Sequence, residues 1–279
     1  MDRRLRIALF GPSTRFLSGI AYFTIRLGNA LAGVAGVDAV LFRHMLPLRL
    51  FPGWKRVGKN LTCEQFSTGV GVHEILDWYN PLTWMRAYRV ARKADAIILP
   101  WWTSSVAHMY LFIEILNAGR RYIVVEFHEP VDPLEDAFLP LKVYARITGR
   151  AVRALADGYV THTRFDQDLI VSRYHIPPGE IVIIPHGLYD HYRHLDQVEA
   201  RRRLGIREEF VILFFGLLRR FKGVSVLVRA FEQLPGEVKQ HSRLCIVGEA
   251  WEDQESVDLA RRSPDRDRIT VDDRYVSDE

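Results

Sequence analysis

Short runs of β-branched and aliphatic residues alternate with longer stretches of helical period along most of this chain. That alternation predicts a parallel sheet wrapped by helices, an α/β fold. The spacing predicts strands at Leu5–Phe10, Ala39–Phe42, Ala96–Leu99, Tyr122–Phe127, Gly158–Thr161 and Ile181–Ile184. Helices fit Gly19–Val34, Leu82–Lys93, Val106–Leu116, Ala137–Ala156 and Arg164–Tyr174. In the first of these, Ile20, Phe23, Ile25, Leu27 and Leu31 supply the apolar stripe.

The pattern breaks at Pro185-His186-Gly187, and a charged segment, Glu199 to Arg203, leads into a new strand. A domain boundary is expected there, giving a first domain over residues 1–195 and a second over 196–279. The second opens with a strand at Phe210–Phe215, turns through Gly216 to Gly223, runs a helix to Leu234 and continues with a strand at Leu244–Val247. About three strands are expected in it, fewer than a sheet usually has, so it reads as a partial domain with an exposed strand edge and apolar surface.

Composition bounds the class. With 279 residues and 48% hydrophobic positions the chain has enough apolar surface for a substantial core. Cys63 and Cys245 stand alone, so neither a disulfide framework nor a zinc motif is indicated, and no ligand cluster for a metal is visible in the spacing. The apolar run after Met1 is too short for a signal-peptide core and meets Gly11-Pro12, and no stretch is long enough to span a membrane. A cytoplasmic location is the expectation. The formal charge of +4 conceals asymmetry: the first sixty residues are basic and the last thirty acidic. The basic part favours an anionic partner. There is no helix-turn-helix, zinc-finger spacing or aromatic RNP strand, and nucleic acid is not the expected partner.

Two segments carry candidate chemistry. In FFGLLRRFKG, residues 214–223, a strand delivers Gly216 to a turn holding Arg219, Arg220 and Lys222, and a helix opens at Gly223. Unpaired N–H groups at a helix N-terminus beside basic side chains suit a diphosphate, the alternative being a solvated basic turn. In MLPLRLFPGWKRVGKN, residues 45–60, Leu50, Phe51 and Trp54 interleave with Lys55 and Arg56. Such a mix suits an anionic membrane interface or an acceptor surface, the alternative being a core-packing loop with a solvated edge. His128 follows a strand, at the edge where open α/β sheets place ligands. Its neighbours Glu126 and Glu129 are expected to point apart and to play a secondary part.

The segment 214–223 resembles glycosyltransferase family 4, the retaining GT-B enzymes. Four other segments resemble that family in the right order: RFLSGIAYFTIRLGNAL from Arg15, VVEFHEP from Val124, IPHGLYDHY from Ile184 and LCIVGEAWED from Leu244. The resemblance implies a GT-B-like fold, with an N-terminal Rossmann-like acceptor-side domain and a second, nucleotide-sugar donor domain. It implies that Arg219 and Lys222 hold the donor diphosphate, with Arg220 replacing Arg219 in the neighbouring register. It further implies that His128 contacts the transferred sugar, that Gly19 lets the loop approach the donor phosphates, and that backbone near Tyr275 and Val276 meets the base. Ser18 departs from the family's paired glycines. The family's later motif, Glu followed by a second Glu after seven residues, is not reached before Glu279. A truncated donor domain is therefore expected.

The implied activity is transfer of a sugar from a nucleoside-diphosphate sugar to a sugar or lipid-linked acceptor, with no cofactor beyond that substrate and no metal. Two alternatives stand beside it: a non-catalytic truncated homologue acting as a binding or membrane-associated module, and a GT-B sugar-nucleotide epimerase.

Overall fold

The computed structural model describes the chain apart from residues 1–3, 17, 51–53, 60–63, 137, 189, 191–193 and 277–279, and describes only the backbone of Leu50 and Asp136. It divides into two compact units, Met1–Leu188 and Tyr189–Glu279.

In the first unit the described strands are β1 (Arg6–Pro12), β2 (Gly36–His44), β3 (Val70–Asp77), β4 (Ala96–Trp101), β5 (Tyr122–Phe127), β6 (Gly158–Thr161) and β7 (Ile181–Ile183). They form one sheet in the order β3-β2-β1-β4-β5-β6-β7, parallel throughout. Its helices are α1 (Gly19–Ala32), α2 (Pro81–Ala91), α3 (Ala107–Asn117), α4 (Leu139–Leu155) and α5 (Arg164–Tyr174). Strand pleating explains the layering. In β1, Ala8 and Phe10 face a core shared with α2 and α3, while Ile7 and Leu9 face a second core against Leu27 and Leu31 of α1. Gly11 sets how closely α1 packs, because a Cβ there would lie 2.4 Å from Thr24 Oγ1.

The sequence pattern located most of these elements within a few residues, and the structure adds β3, which periodicity had not marked. Val70 and Leu76 are buried in the two cores, while Gly71, His73 and Glu74 interrupt the apolar run. Long-range partners satisfy them, His73 Nε2 lying 2.9 Å from Asp38 Oδ1 and Ser13 Oγ donating to Glu74 Oε1 at 3.0 Å.

The second unit contains α6 (Gln197–Leu204), β8 (Phe210–Phe215), α7 (Val224–Glu232), α8 (Gly236–Lys239), β9 (Ser242–Val247), α9 (Gln254–Arg262) and β10 (Ile269–Asp272). Its strands form a parallel sheet in the order β10-β9-β8. The charged segment near residue 200 is a helix, α6, capped by Asp196, whose side chain accepts from Val198 and Glu199, and closed by Gly205 in the left-handed conformation. Val224, Val228 and Phe231 of α7 pack with Leu244 and Ile246 of β9 and Val257 of α9. On β8, Ile212 and Phe214 join this core, whereas Leu213 and Phe215 are 60% and 61% exposed. The expected apolar surface is thus present on the described edge strand. Among the described residues, no helix is long and apolar enough to cross a membrane.

Candidate active site

Three neighbouring parallel strands each end in a histidine. His128 follows β5, His162 follows β6 directly, and His186 follows β7 in the Pro-His-Gly break. The loop carrying His128 is fixed from both sides. The His128 and Glu129 N–H groups donate to the Trp101 carbonyl at 2.8 and 3.3 Å. Asp132, fully buried, accepts from the backbone N–H groups of Ser104 at 2.7 Å and Leu134 at 2.9 Å.

The three rings converge. His162 and His186 stack with centroids 3.7 Å apart, and His128 lies 4.7 Å from His162 and 5.5 Å from His186. Phe23 of α1 presents its ring edge-on to this group, 4.4 Å from His128 and 5.2 Å from His186. Burial pushes the His162 pKa down, against the opposing effect of its bond to the Ile184 carbonyl. His186 is also lowered, by burial first and then by its two histidine neighbours.

Glu126 stands beside His128. Its Oε2 lies 3.6 Å from His128 Nε2, and the two side chains are 7% and 3% exposed. As the penultimate residue of β5 it reaches the strand end on the side of His128 rather than away from it. One ligand atom from each of His128, His162 and His186 lies within 4.8 Å of the others, a convergence that the spacing along the chain does not display. The sequence offered one usable signal for the two histidines it missed: each lies at the carboxyl end of a strand of a parallel sheet.

In the second unit the basic turn takes the expected place. Residues Arg220–Lys222 form a single 3-10 turn, and Gly223, with φ 70°, leads into α7. Gly216 ends β8 with φ 124°, and a Cβ there would lie 3.5 Å from Lys222 Nζ. Arg219 lies against the Phe221 ring at 4.9 Å, with Nη2 3.6 Å from Glu252 Oε2. Its Nε is buried and has no hydrogen-bond partner among the described residues. Arg220 is exposed and donates through Nε to the Glu252 carbonyl at 3.1 Å. After β10, half-buried Tyr275 and exposed Val276 lie at the same carboxyl edge of the small sheet as Gly216.

Gly19 occupies the first turn of α1. Ser18 caps the helix, accepting from the Ala21 N–H at 3.2 Å. A Cβ on Gly19 would meet nothing within 4 Å, and its φ is not in the left-handed region. In the basic apolar stretch, Trp54–Arg56 form a 3-10 turn with Lys55 Nζ 5.8 Å from the Trp54 ring. The Gly58 N–H donates to the Arg15 carbonyl at 3.0 Å, and Val57 packs on the main core, as the core-packing alternative requires. Phe51 and the Leu50 side chain lie outside the described residues.

Two parallel α/β units with ligand-type groups gathered at the carboxyl ends of their strands define the GT-B class of glycosyltransferase fold. The chain belongs to Glycosyltransferase Family 4, whose model matches residues 17–190. It is 36% identical over 105 residues to D-inositol 3-phosphate glycosyltransferase 1 of Catenulispora acidiphila, covering 37% of this chain and 24% of that protein. It is 37% identical over 110 residues to D-inositol 3-phosphate glycosyltransferase of Acidothermus cellulolyticus, again over 37% of this chain and 24% of the relative. The matched stretches thus span about a quarter of those relatives. Among solved structures, it resembles WaaG, a glycosyltransferase involved in lipopolysaccharide biosynthesis, with TM-score 0.59 and 13% identity over 98% of this chain and 70% of that one. It also resembles an Escherichia coli trehalose-6-phosphate protein bound with UDP-2-fluoro glucose, with TM-score 0.60 and 10% identity over 98% and 74% of the respective chains.

Proposed function

We propose that this chain serves retaining glycosyl transfer, moving a sugar from a nucleoside-diphosphate sugar to an acceptor hydroxyl. The observation that carries the reading is the cationic turn at the end of β8, where Lys222 Nζ stands over Gly216 and Arg219 keeps a buried N–H unpaired. As the bond from the sugar's anomeric carbon to the diphosphate breaks, negative charge grows on the leaving group. Preplaced cations stabilise that charge most in the transition state. The acceptor hydroxyl bonds to the anomeric carbon on the face being vacated and gives its proton to the departing diphosphate. His128 orients the transferred sugar, with Glu126 beside it.

A UDP-sugar analogue bound to a neighbour of the same fold supports the donor class. The relatives' activity on D-inositol 3-phosphate supports a small phosphorylated polyol as acceptor beside the lipid-linked alternative. For a lipid-linked acceptor, Trp54, Lys55 and Arg56 supply an edge suited to the cytoplasmic membrane face.

Calorimetric titration with UDP and GDP tests the donor site directly. Wild-type chain should bind at least one of them, and Arg219→Ala/Lys222→Ala should lose that binding by 10-fold or more, about 1.4 kcal/mol. Absence of binding to folded wild-type chain, or equal binding by the double variant, would remove the reading for this turn.

A further inference from the structure

Three helices form one layer over the main core of the large sheet, with α3 packed against α2 on one side and α4 on the other. His108 of α3 ties them together. Its Nε2 lies 2.8 Å from the Trp78 carbonyl, which only accepts, so Nε2 carries the proton, and the Tyr144 hydroxyl of α4 donates to Nδ1, also at 2.8 Å. The Trp84 ring of α2 meets the His108 ring edge-on, with centroids 5.2 Å apart. The outer side of this layer is therefore a preformed surface.

On α4, Leu139, Val143 and Ile147 recur every fourth residue and so form one row, 72%, 47% and 65% exposed. Each is followed three positions later by a cation, Lys142, Arg146 or Arg150, which lies beside it on the helix surface. None of these cations has an ion-pair partner among the described residues. No Asp or Glu occurs in α2 or α4, and the one acid of α3, Glu114, is buried. Glu135, ahead of α4, is also buried and accepts from Arg173. The rest of the layer repeats the mixture, with exposed Leu82, Arg86 and Arg89 on α2 and exposed Ile115 on α3.

Exposed aliphatic side chains gathered in a row gain by entering an apolar phase, and the cations beside them gain by meeting anions. The core of a protein interface meets the first need but excludes charge. The headgroup boundary of a bilayer meets both, because aliphatic tips enter the acyl region while the long Lys and Arg stems reach the lipid phosphates. We propose that the outer face of the α2–α3–α4 layer, centred on Leu139, Val143 and Ile147, docks on an anionic lipid bilayer. Leu82 and exposed Phe138 stand at the starts of α2 and α4, at the carboxyl edge of the sheet, so docking brings the edge that carries His128 to the lipid. This goes beyond the sugar-transfer reading, which leaves the source of the acceptor open, and it uses neither the donor turn nor Trp54–Arg56.

The experiment is flotation of the 279-residue chain with vesicles of phosphatidylcholine and phosphatidylglycerol, and with vesicles of phosphatidylcholine alone. The wild type should bind the anionic vesicles about 10-fold or more tightly than the neutral ones, and salt should narrow the difference. Val143→Asp/Ile147→Asp and, separately, Arg146→Glu/Arg150→Glu should each weaken binding about 10-fold or more. Arg262→Glu/Arg266→Glu, which changes the net charge equally at exposed positions of the second unit, should not. Circular dichroism checks that each variant is folded. A folded wild type that leaves anionic vesicles unbound would overturn the proposal. Binding kept by Val143→Asp/Ile147→Asp, or lost in Lys55→Glu/Arg56→Glu but kept by both α4 variants, would overturn it as well. So would a wild-type dimer that ignores vesicles and dissociates in Val143→Asp/Ile147→Asp, because the row would then belong to a second copy. Nucleotide titration reads the second unit, and a negative result there leaves this surface untouched.

Discussion

The Gly216 carbonyl lies so near Gly248 that a Cβ on Gly248 would stand 2.0 Å from its oxygen. Gly248 also has φ 138°, and its N–H donates to the Asp272 carbonyl at 2.8 Å. The ends of all three strands β8, β9 and β10 are therefore locked together beside Lys222. Gly248→Ala adds both a clash and backbone strain, and should destabilise the second unit by about 3 kcal/mol or more. Limited proteolysis should cleave the second unit of this variant while the first unit resists, and nucleotide binding should be lost with it.

Glu114 on α3 is buried, and neither carboxyl oxygen has a hydrogen-bond partner among the described residues. Burial, helped by nearby Asp157, pushes its pKa up to about 9. The folded chain thus holds a proton that the unfolded chain releases near the ordinary value of 4.5. Stability is lost as pH rises from there, and the loss is complete at about pH 9. Glu114→Gln should remove this slope and stabilise the chain by ~1–3 kcal/mol at pH 8. Urea denaturation of both proteins at pH 5.5 and pH 8, ordinary buffer conditions about 2–3 units apart, reads the difference.

Arg243 ties the small sheet across its strands. It donates through Nη2 to Glu208 Oε1 at 2.6 Å, ahead of β8, and through Nη1 to Thr270 Oγ1 at 3.1 Å on β10. The guanidinium holds the Glu208 carboxyl down at about 2. This contribution is present above the ordinary value of 4.5 and is lost as pH falls towards 2. Arg243→Ala should cost about 1–2 kcal/mol at neutral pH. Thermal melts of wild type and variant should converge as the buffer is acidified towards pH 2, and a constant gap would remove the ion pair as the cause.

Asp132 holds the His128 loop through the N–H groups of Ser104 and Leu134. Asp132→Ala leaves these donors without their partner and should cost about 1–3 kcal/mol. Its signature is local. Proton NMR should show the His128 imidazole resonances shifted, while those of His241, in the other unit, stay in place.

The fold was legible where strands are continuously apolar. Phe210–Phe215 reads as an unbroken apolar run, and Tyr122–Phe127 as one interrupted at Glu126, so neither needs partner information, although β8 leaves Leu213 and Phe215 exposed. β3 was hidden because its His73 and Glu74 are satisfied by Asp38 and Ser13, residues far away in the chain. The basic turn was readable since Gly216, Arg219 and Lys222 lie within one short stretch. The histidine cluster was not, since His128, His162 and His186 meet only when β5, β6 and β7 pair in order. The place of Glu126 beside His128 was hidden for the same reason: alternation predicts the face of a strand, but not which ring lies beside its last residues.

The sheet order also governs when the first unit can form during synthesis. β1 lies between β2 and β4, with Ile7 paired to Val37 on one side and Ala96 on the other. During synthesis β1 thus keeps one hydrogen-bonding edge open until the residues around Ala96 emerge. At about 5–20 residues per second that interval is on the order of ten seconds. During it Phe10 lacks Ile97, Leu99 and Tyr110 of its eventual core, so this nascent segment should be the stretch on which a chaperone acts.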